Sequence, residues 1–228
     1  MQELYSQTSV ATGRSVEVSK VLRNTYTLLA MTLIFSAITA GISVAINVGY
    51  GAALAMDLVA LGLLWFVLPR TANSAAGIGV VFAFTGLLGA GLGPMLNYYL
   101  ATANGGMLVT QALAGTAIVF FALSGYVLTT GKDFSFMGGF LMIGLIVVLV
   151  TMVGALVLSF FGVHITGLQL ALSAVIVLLM SGFILFDTSR IIHGGQTNYI
   201  MATTALYLDI YNLFIHLLHL LSAFSGDD

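Results

Sequence analysis

Cysteine is absent from this 228-residue chain, proline occurs twice, and Asp, Glu, Lys and Arg together make up only 6% of it. The lack of cysteine excludes disulfides, thiolate metal sites and cysteine nucleophiles. Soluble domains usually carry about 25% charged residues. Because 60% of the chain is hydrophobic and its net charge is −2, we exclude a water-soluble fold and a nucleic-acid partner. Membrane lipid is the expected solvent for most side chains.

Seven stretches are apolar enough to cross a membrane, and each approaches the ~20 residues that a spanning helix needs. They cover residues 22–46, 51–68, 75–96, 107–129, 136–160, 167–190 and 201–223. The predicted fold class is therefore all-α, a polytopic membrane protein with one transmembrane domain over residues 21–228. Residues 1–20 are polar, unlike a cleavable signal peptide, and are interpreted as a short tail.

The basic residues predict the orientation of these helices. With seven spans, every Lys and Arg falls on one side of the membrane: Arg14, Lys20, Arg23, Arg70, Lys132 and Arg190. Loops on the cytoplasmic side carry the excess of Lys and Arg. We therefore expect a cytoplasmic N-terminus and a C-terminus across the membrane. A six-helix arrangement would break this pattern.

The third span is the richest in glycine. Gly89 and Gly93 form a small-xxx-small pair, which lets two membrane helices approach closely. Pro94 follows and is expected to stop or kink the helix. We interpret these glycines as packing positions rather than as a binding site.

Three aspartates fall inside predicted spans: Asp57, Asp187 and Asp209. A central Asp costs roughly 2.5–3.5 kcal/mol to insert, so such residues usually face the bundle interior. A short connection joins the sixth and seventh spans, which should make them antiparallel neighbours with Asp187 and Asp209 in the same third of the membrane. Asp57 lies near the end of its span and is interpreted as an interfacial residue.

The seventh span also carries a polar stripe. Asp209, Asn212, His216 and His219 recur at spacings of three and four residues, which places them on one helical face. Two interpretations remain open, namely hydrogen bonding between buried helices and the lining of a proton or ion path. His219 would alternatively reach the headgroup region. His164 and His193 lie in loops, where no role is expected.

Two close carboxyl groups at low dielectric cannot both ionise cheaply, so a pair formed by Asp187 and Asp209 would share one proton. The protonated pair can latch two helices, and the ionised pair repels or captures a cation. Oxygen ligands suit a hard cation such as Ca²⁺. This chemistry is a physical route to a pH-sensitive cation leak, for which Ca²⁺ is one possible permeant ion, and we expect no bound cofactor.

Four segments resemble the Bax inhibitor-1 (TMBIM) family, and most closely its bacterial YccA-like branch. They are Lys20–Tyr26, Phe82–Pro94, Tyr126–Phe136 and the segment from Ile184 to Ile200 that runs on to Asp209. The resemblance implies a seven-helix bundle in the bacterial inner membrane, with the seventh helix central and the C-terminus periplasmic.

The resemblance also implies roles for particular residues. In calcium-leak members, two aspartates that match Asp187 and Asp209 form a pH-sensing dyad. A basic residue on the second helix partners that dyad, whereas here the second span contains Asp57 and only a terminal Arg70. YccA-like proteins bind and modulate the membrane protease FtsH through a cytoplasmic tail, a role that residues 1–20 would fill. Asp57, Arg190 and His219 are secondary candidates for the ion pathway, after Asp187, Asp209, Asn212 and His216.

An enzyme is the weakest interpretation. Intramembrane aspartyl proteases carry Gly-x-Gly-Asp, a motif that neither Asp187 nor Asp209 completes. The Ser-Gly pairs at Ser124 and Ser181 lack the first glycine of the Gly-x-Ser-Gly motif of serine intramembrane proteases. The seventh span has no lysine to bind retinal, and the sequence contains no phosphate-binding loop or zinc motif. We therefore predict no catalytic activity.

Overall fold

The computed structural model describes residues 2–162 and 167–225, with side chains from Val16 onwards. Seven of its helices are long and apolar enough to cross a membrane, which confirms the predicted all-α, seven-span fold. We number these helices α1 to α7 in chain order. They are Gln2–Ala45 (α1), Tyr50–Thr71 (α2), Ala75–Leu100 (α3), Gly105–Thr130 (α4), Ser135–Phe160 (α5), Leu168–Ile192 (α6) and Tyr199–Ser225 (α7).

The first helix begins earlier than the sequence suggested. Residues 2–20, predicted as a tail, continue into the first span as one helix. Nothing in the polar composition of this segment forbids a helix, because only glycine and proline strongly oppose one. The single glycine before residue 20 is Gly13, and it does not interrupt α1.

The second helix also runs beyond its predicted end, past Pro69 to Thr71. Proline cannot donate a backbone hydrogen bond and normally disrupts the helix before it. Here a π-helical turn at Leu63–Val67 precedes it, and Leu68 N donates to the Leu63 carbonyl five residues back. The extra residue in this turn lets the helix accommodate Pro69.

The third helix is interrupted at Leu92, between Ala75–Gly91 and Gly93–Leu100, as the position of Pro94 predicted. Because Pro94 has no N–H, the Ala90 carbonyl four residues earlier loses its helical donor. The Ser43 hydroxyl of α1 donates to that carbonyl at 2.6 Å. The carbonyl that the interruption leaves without a helical donor is therefore hydrogen-bonded by the neighbouring helix.

The packing divides the described residues into two compact units. The first unit holds α1, α2, α3 as far as Asn97, and Arg190–Tyr207. One part of its core is formed by Leu28, Leu68, Ala72, Val81 and Ile200. In another part, the fully buried Tyr207 hydroxyl lies 2.7 Å from Ser36 Oγ and donates to the Thr85 carbonyl at 3.2 Å.

The second unit holds α4, α5, α6 as far as Ser189, and α7 from Leu208. In α5 only Leu141 and Val148 are buried, and the mean hydropathy of its span is 3.0, the highest of the seven. The span in α7 has the lowest value, 1.3. Apolar α5 thus suits contact with lipid, whereas the polar groups of α7 require protein partners.

Candidate functional site

Asp187 of α6 and Asp209 of α7 come together in the second unit, where their carboxyl groups are in hydrogen-bonding contact. Asp209 is 5% exposed and Asp187 is half-buried. Asp209 Oδ2 is buried and has no hydrogen-bond partner among the described residues. Two acidic groups therefore meet in a largely dry place, one of them incompletely satisfied.

The end of α6 is held by three consecutive side chains, each directed to a different element. Asp187 contacts α7 through Asp209. Thr188 Oγ1 lies 3.3 Å from Ser124 Oγ of α4. Ser189 Oγ donates to Asp133 Oδ1 at 3.2 Å in the α4–α5 connection and accepts from Phe134 N at 2.8 Å. These contacts fix the position of Asp187 from several sides.

Asp133 organises the α4–α5 connection. Asp133 Oδ1 also accepts from Ser135 N at 2.8 Å, at the start of α5. This carboxylate thus joins the start of α5 to the end of α6, two residues from Asp187. The motif Tyr126–Phe136, which the sequence offered only as a resemblance, is therefore structurally connected to the aspartate pair.

The other members of the α7 stripe have different partners. His216 Nδ1 lies 3.1 Å and His219 Nδ1 3.3 Å from the Ser173 hydroxyl of α6. Asn212 is half-buried, and its Nδ2 donates to the Leu208 carbonyl of its own helix at 2.8 Å. The stripe meets α6 at both ends, through Asp209 at one and the histidines at the other.

A cavity of about 610 Å³ lies beside the two histidines in the second unit. It is lined by α5, α6 and α7, mainly with apolar side chains, and Ser173, His216 and His219 all line it. Ser173 is 1% exposed, whereas His219 is exposed and packs edge-on against Tyr99 at a ring-centroid distance of 6.3 Å.

Asp57 belongs to the first unit. Its Oδ1 is buried without a partner among the described residues, and it is so close to α3 that a Cβ added to Gly91 would lie 2.2 Å from it. Its side chain therefore packs on α3.

Arg190 closes the end of α6 and the turn that follows it. Its guanidinium donates to the Gly195 carbonyl at 3.3 Å, and its own carbonyl accepts from Gln196 N at 3.0 Å. His193 is exposed in this connection. His164 lies outside the described residues.

Comparison with known proteins supports the family resemblance that four segments of the sequence carry. The family model described as "Inhibitor of apoptosis-promoting Bax1" matches residues 18–226. The chain belongs to this family. The resemblance found in the sequence is thereby confirmed over nearly the whole chain, from Val18 in α1 to the end of α7.

Bacterial relatives of this Bax inhibitor family member are similar over most of their length. The "Modulator of FtsH protease YccA" of Escherichia coli K12 is 52% identical over 208 residues, covering 91% of this chain and 92% of the relative. The "Inner membrane protein YccA" of Escherichia coli O6:H1 shows the same identity and coverage. An uncharacterized Pseudomonas aeruginosa protein is 50% identical over 228 residues, with complete coverage of both chains.

Sequence reasoning missed the partners that position the stripe. Ser173, Ser124 and Thr188 are small hydroxyl residues in apolar helices, and such residues often bond their own helix. Ser173 does so as well, donating to the Gln169 carbonyl at 2.9 Å. Only the packing of α6 on α7 shows that the same hydroxyl also serves two histidines.

Proposed function

We propose that this integral membrane protein is a pH-sensitive cation leak, with Ca²⁺ as the permeant ion, gated by Asp187 and Asp209. The observation that carries the proposal is the contact between the two carboxyl groups, one 5% exposed and the other half-buried. A dry carboxyl pair holds a shared proton, since two adjacent negative charges at low dielectric repel each other strongly. The proposed activity is transport, without a catalytic step.

The expected direction of the pH response follows from this contact. At low pH the shared proton bonds one carboxyl group to the other and holds α6 against α7. As the pH rises and the proton leaves, two negative charges separate the helices or attract a cation. Flux should therefore increase with pH. Carboxylate oxygens are suitable first ligands for Ca²⁺, which takes further oxygens from water or backbone carbonyls.

Liposome flux measurements test this mechanism. The purified chain is reconstituted with an enclosed calcium dye, and the initial rate is recorded across a pH series. Asp209→Asn should abolish the pH dependence, because an amide cannot release the proton that closes the latch. Asp57→Asn is the matched control, since it neutralises another intramembrane aspartate located in the other unit, and it should keep the wild-type profile.

Two outcomes would refute the leak. One is an unchanged pH profile in Asp209→Asn, and the other is a wild-type protein that conducts no Ca²⁺ at any pH. Circular dichroism and size-exclusion chromatography of each variant establish that the comparison is between folded proteins.

We propose as an additional function that the N-terminal part of α1 engages an FtsH-type membrane protease in the bacterial inner membrane. Two observations favour it. A relative 52% identical over 208 residues is named a modulator of FtsH protease, and α1 begins at Gln2, about five helical turns before the predicted first span at residue 22. The positive-inside rule predicts that this extension is cytoplasmic.

Deletion of residues 2–15 tests this role and leaves the predicted first span, residues 22–46, intact. The shortened protein should lose co-purification with FtsH and any effect on proteolysis, while its pH-dependent flux remains. Asp209→Asn should show the opposite behaviour, with altered flux and unchanged association. Undiminished association of the shortened protein would disprove the role of this segment.

A further inference from the structure

The cavity of the second unit has a polar end and an apolar end. Gln169 is the second residue of α6 and Ser159 the next-to-last residue of α5, so both line the cavity where those spans end. Met152 and Ile176 line it seven residues further along their helices, about 10 Å deeper in the membrane. The cavity therefore runs along the helices from a polar membrane edge to an apolar interior.

The polar side chains of the cavity lie in its outer half. Ser173, one helical turn inside Gln169, is buried in contact with His216 and His219 and forms the inner wall. At the membrane edge, Ser159, Gln169 and His219 are exposed. A ligand that enters from this edge therefore meets hydroxyl, amide and imidazole groups first and apolar side chains below them.

The side of the cavity formed by α5 is open. Met152 and Leu156 of α5 are exposed, whereas Ser173 and Ile176 on the α6 side are buried. Within a membrane, the exposed side of an apolar span faces lipid chains. A water molecule needs two to four polar partners, which the deep end of the cavity does not provide. An acyl chain is the better occupant of that end.

We propose that this cavity binds a phospholipid with a net-neutral headgroup. One acyl chain lies between α5 and α6, and the headgroup meets Ser159, Gln169 and His219 at the membrane edge. The volume of about 610 Å³ is within the range of roughly 300–1,000 Å³ found for ligand pockets. Hydroxyl, amide and imidazole groups can donate hydrogen bonds to phosphate oxygens, and hydroxyl and amide oxygens can accept them from an ammonium group.

The charge around the cavity favours one class of lipid. Residues 133–189 and 191–228 contain no Lys or Arg, so α5, α7 and α6 as far as Ser189 provide no permanent positive charge. A fatty-acid carboxylate or an anionic headgroup is bound best by such a charge. A zwitterionic headgroup such as phosphatidylethanolamine has no net charge to neutralise and fits the uncharged rim.

Photocrosslinking of the full-length chain in bilayers tests the site. The probe is phosphatidylethanolamine with a diazirine in one acyl chain. Mass spectrometry should place the adducts mainly within residues 152–159 and 168–176, which hold the lining of α5 and α6. Lipid that only coats the protein would label the exposed part of α5 evenly, including Ile143 and Val150. Such even labelling would overturn the proposal, and this measurement requires no substitution.

Ala155→Trp should fill the cavity, because Ala155 lines it and is half-buried. Native mass spectrometry of the detergent-purified protein should show retention of phosphatidylethanolamine weakened by about tenfold or more. Gly154→Trp is the matched control, since Gly154 is the adjacent residue, is exposed, and has no atom within 4 Å of an added Cβ. Gln169→Ala should weaken retention by roughly 2–10-fold, as loss of one hydrogen bond does. Equal retention by both tryptophan variants would contradict the site.

Competition between lipids tests the headgroup. Unlabelled phosphatidylethanolamine should displace the probe from residues 152–159 at a lower mole fraction than phosphatidylglycerol or a free fatty acid does. Displacement by either anionic lipid at an equal or lower mole fraction would overturn the assignment to a net-neutral phospholipid.

Discussion

Replacement of Gly89 by alanine should destabilise the first unit, because α3 lies directly against the backbone of α1 at this position. A Cβ at residue 89 would lie 2.3 Å from the Ser36 carbonyl oxygen and 2.4 Å from Thr39 Oγ1. A side-chain oxygen can rotate away, but a backbone carbonyl cannot. To restore van der Waals contact, the two helices must separate by roughly 1 Å at this level.

The cost has two parts and one offset. Overpacking of this kind costs about 1–3 kcal/mol. Displacement of Ser36 also strains its 2.7 Å hydrogen bond to the fully buried Tyr207 hydroxyl, a bond of the kind worth about 1 kcal/mol. Alanine recovers up to ~1 kcal/mol through its better helix propensity. We therefore expect Gly89→Ala to lower the free energy of unfolding by about 1–3 kcal/mol.

Gly79→Ala is the matched control for this prediction. Gly79 lies in the same helix, is exposed, and has no atom within 4 Å of its added Cβ. Alanine should be neutral or stabilising there. Reversible SDS titration monitored by circular dichroism in mixed micelles gives both free energies. If Gly89→Ala is as stable as Gly79→Ala, the close approach of α1 and α3 is not what Gly89 provides.

Two further predictions concern satisfied backbone groups. Ser43→Ala should lower the free energy of unfolding by about 1–3 kcal/mol, because the Ala90 carbonyl loses its donor. Adding Pro94→Ala should recover part of this loss, because residue 94 then supplies a helical N–H. Additive effects of the two substitutions in a double-mutant cycle of SDS unfolding would contradict that link. Asn198→Ala should cost about 0.5–2 kcal/mol because Asn198 caps α7. Asn198→Asp keeps the capping acceptor but loses the 2.9 Å hydrogen bond to the Ala72 carbonyl. Thermal unfolding should therefore show a stability between those of the wild type and Asn198→Ala. Equal stability of all three proteins would contradict the capping role.

The number of spans could be predicted because the physical signal is strong and local. Each bilayer crossing needs a long apolar run, and seven such runs are separated by clear breaks. The ends were less certain, because helices extend beyond the membrane wherever nothing stops them. Polar residues 2–15 do not stop α1, and Pro69 does not stop α2, since a π-helical turn before it absorbs the missing hydrogen bond.

The packing role of Gly89 and Gly93 was also predictable, and the structure confirms it. A Cβ at Gly93 would lie 2.0 Å from Ser43 Oγ, so both glycines of the pair face α1. Their partners were not predictable. Serine and threonine occur on many faces of these helices. Hydropathy does not indicate which of them contact a glycine, a histidine or a carbonyl that proline leaves without a helical donor.

Hydrogen bonding differs between the two ends of the α7 stripe, for which the sequence left two interpretations open. At the histidine end, Ser173 satisfies both Nδ1 atoms, as expected for polar groups that join helices. At the aspartate end, an acidic group meets another acidic group, and Asp209 keeps a buried oxygen without a partner in the described part of the chain. An arrangement selected only to join α6 and α7 would pair Asp209 with a donor, because an unsatisfied buried polar atom costs about 1–3 kcal/mol. The proposed role in proton or cation handling therefore rests on Asp209 and its contact with Asp187, and not on the histidine end of the stripe.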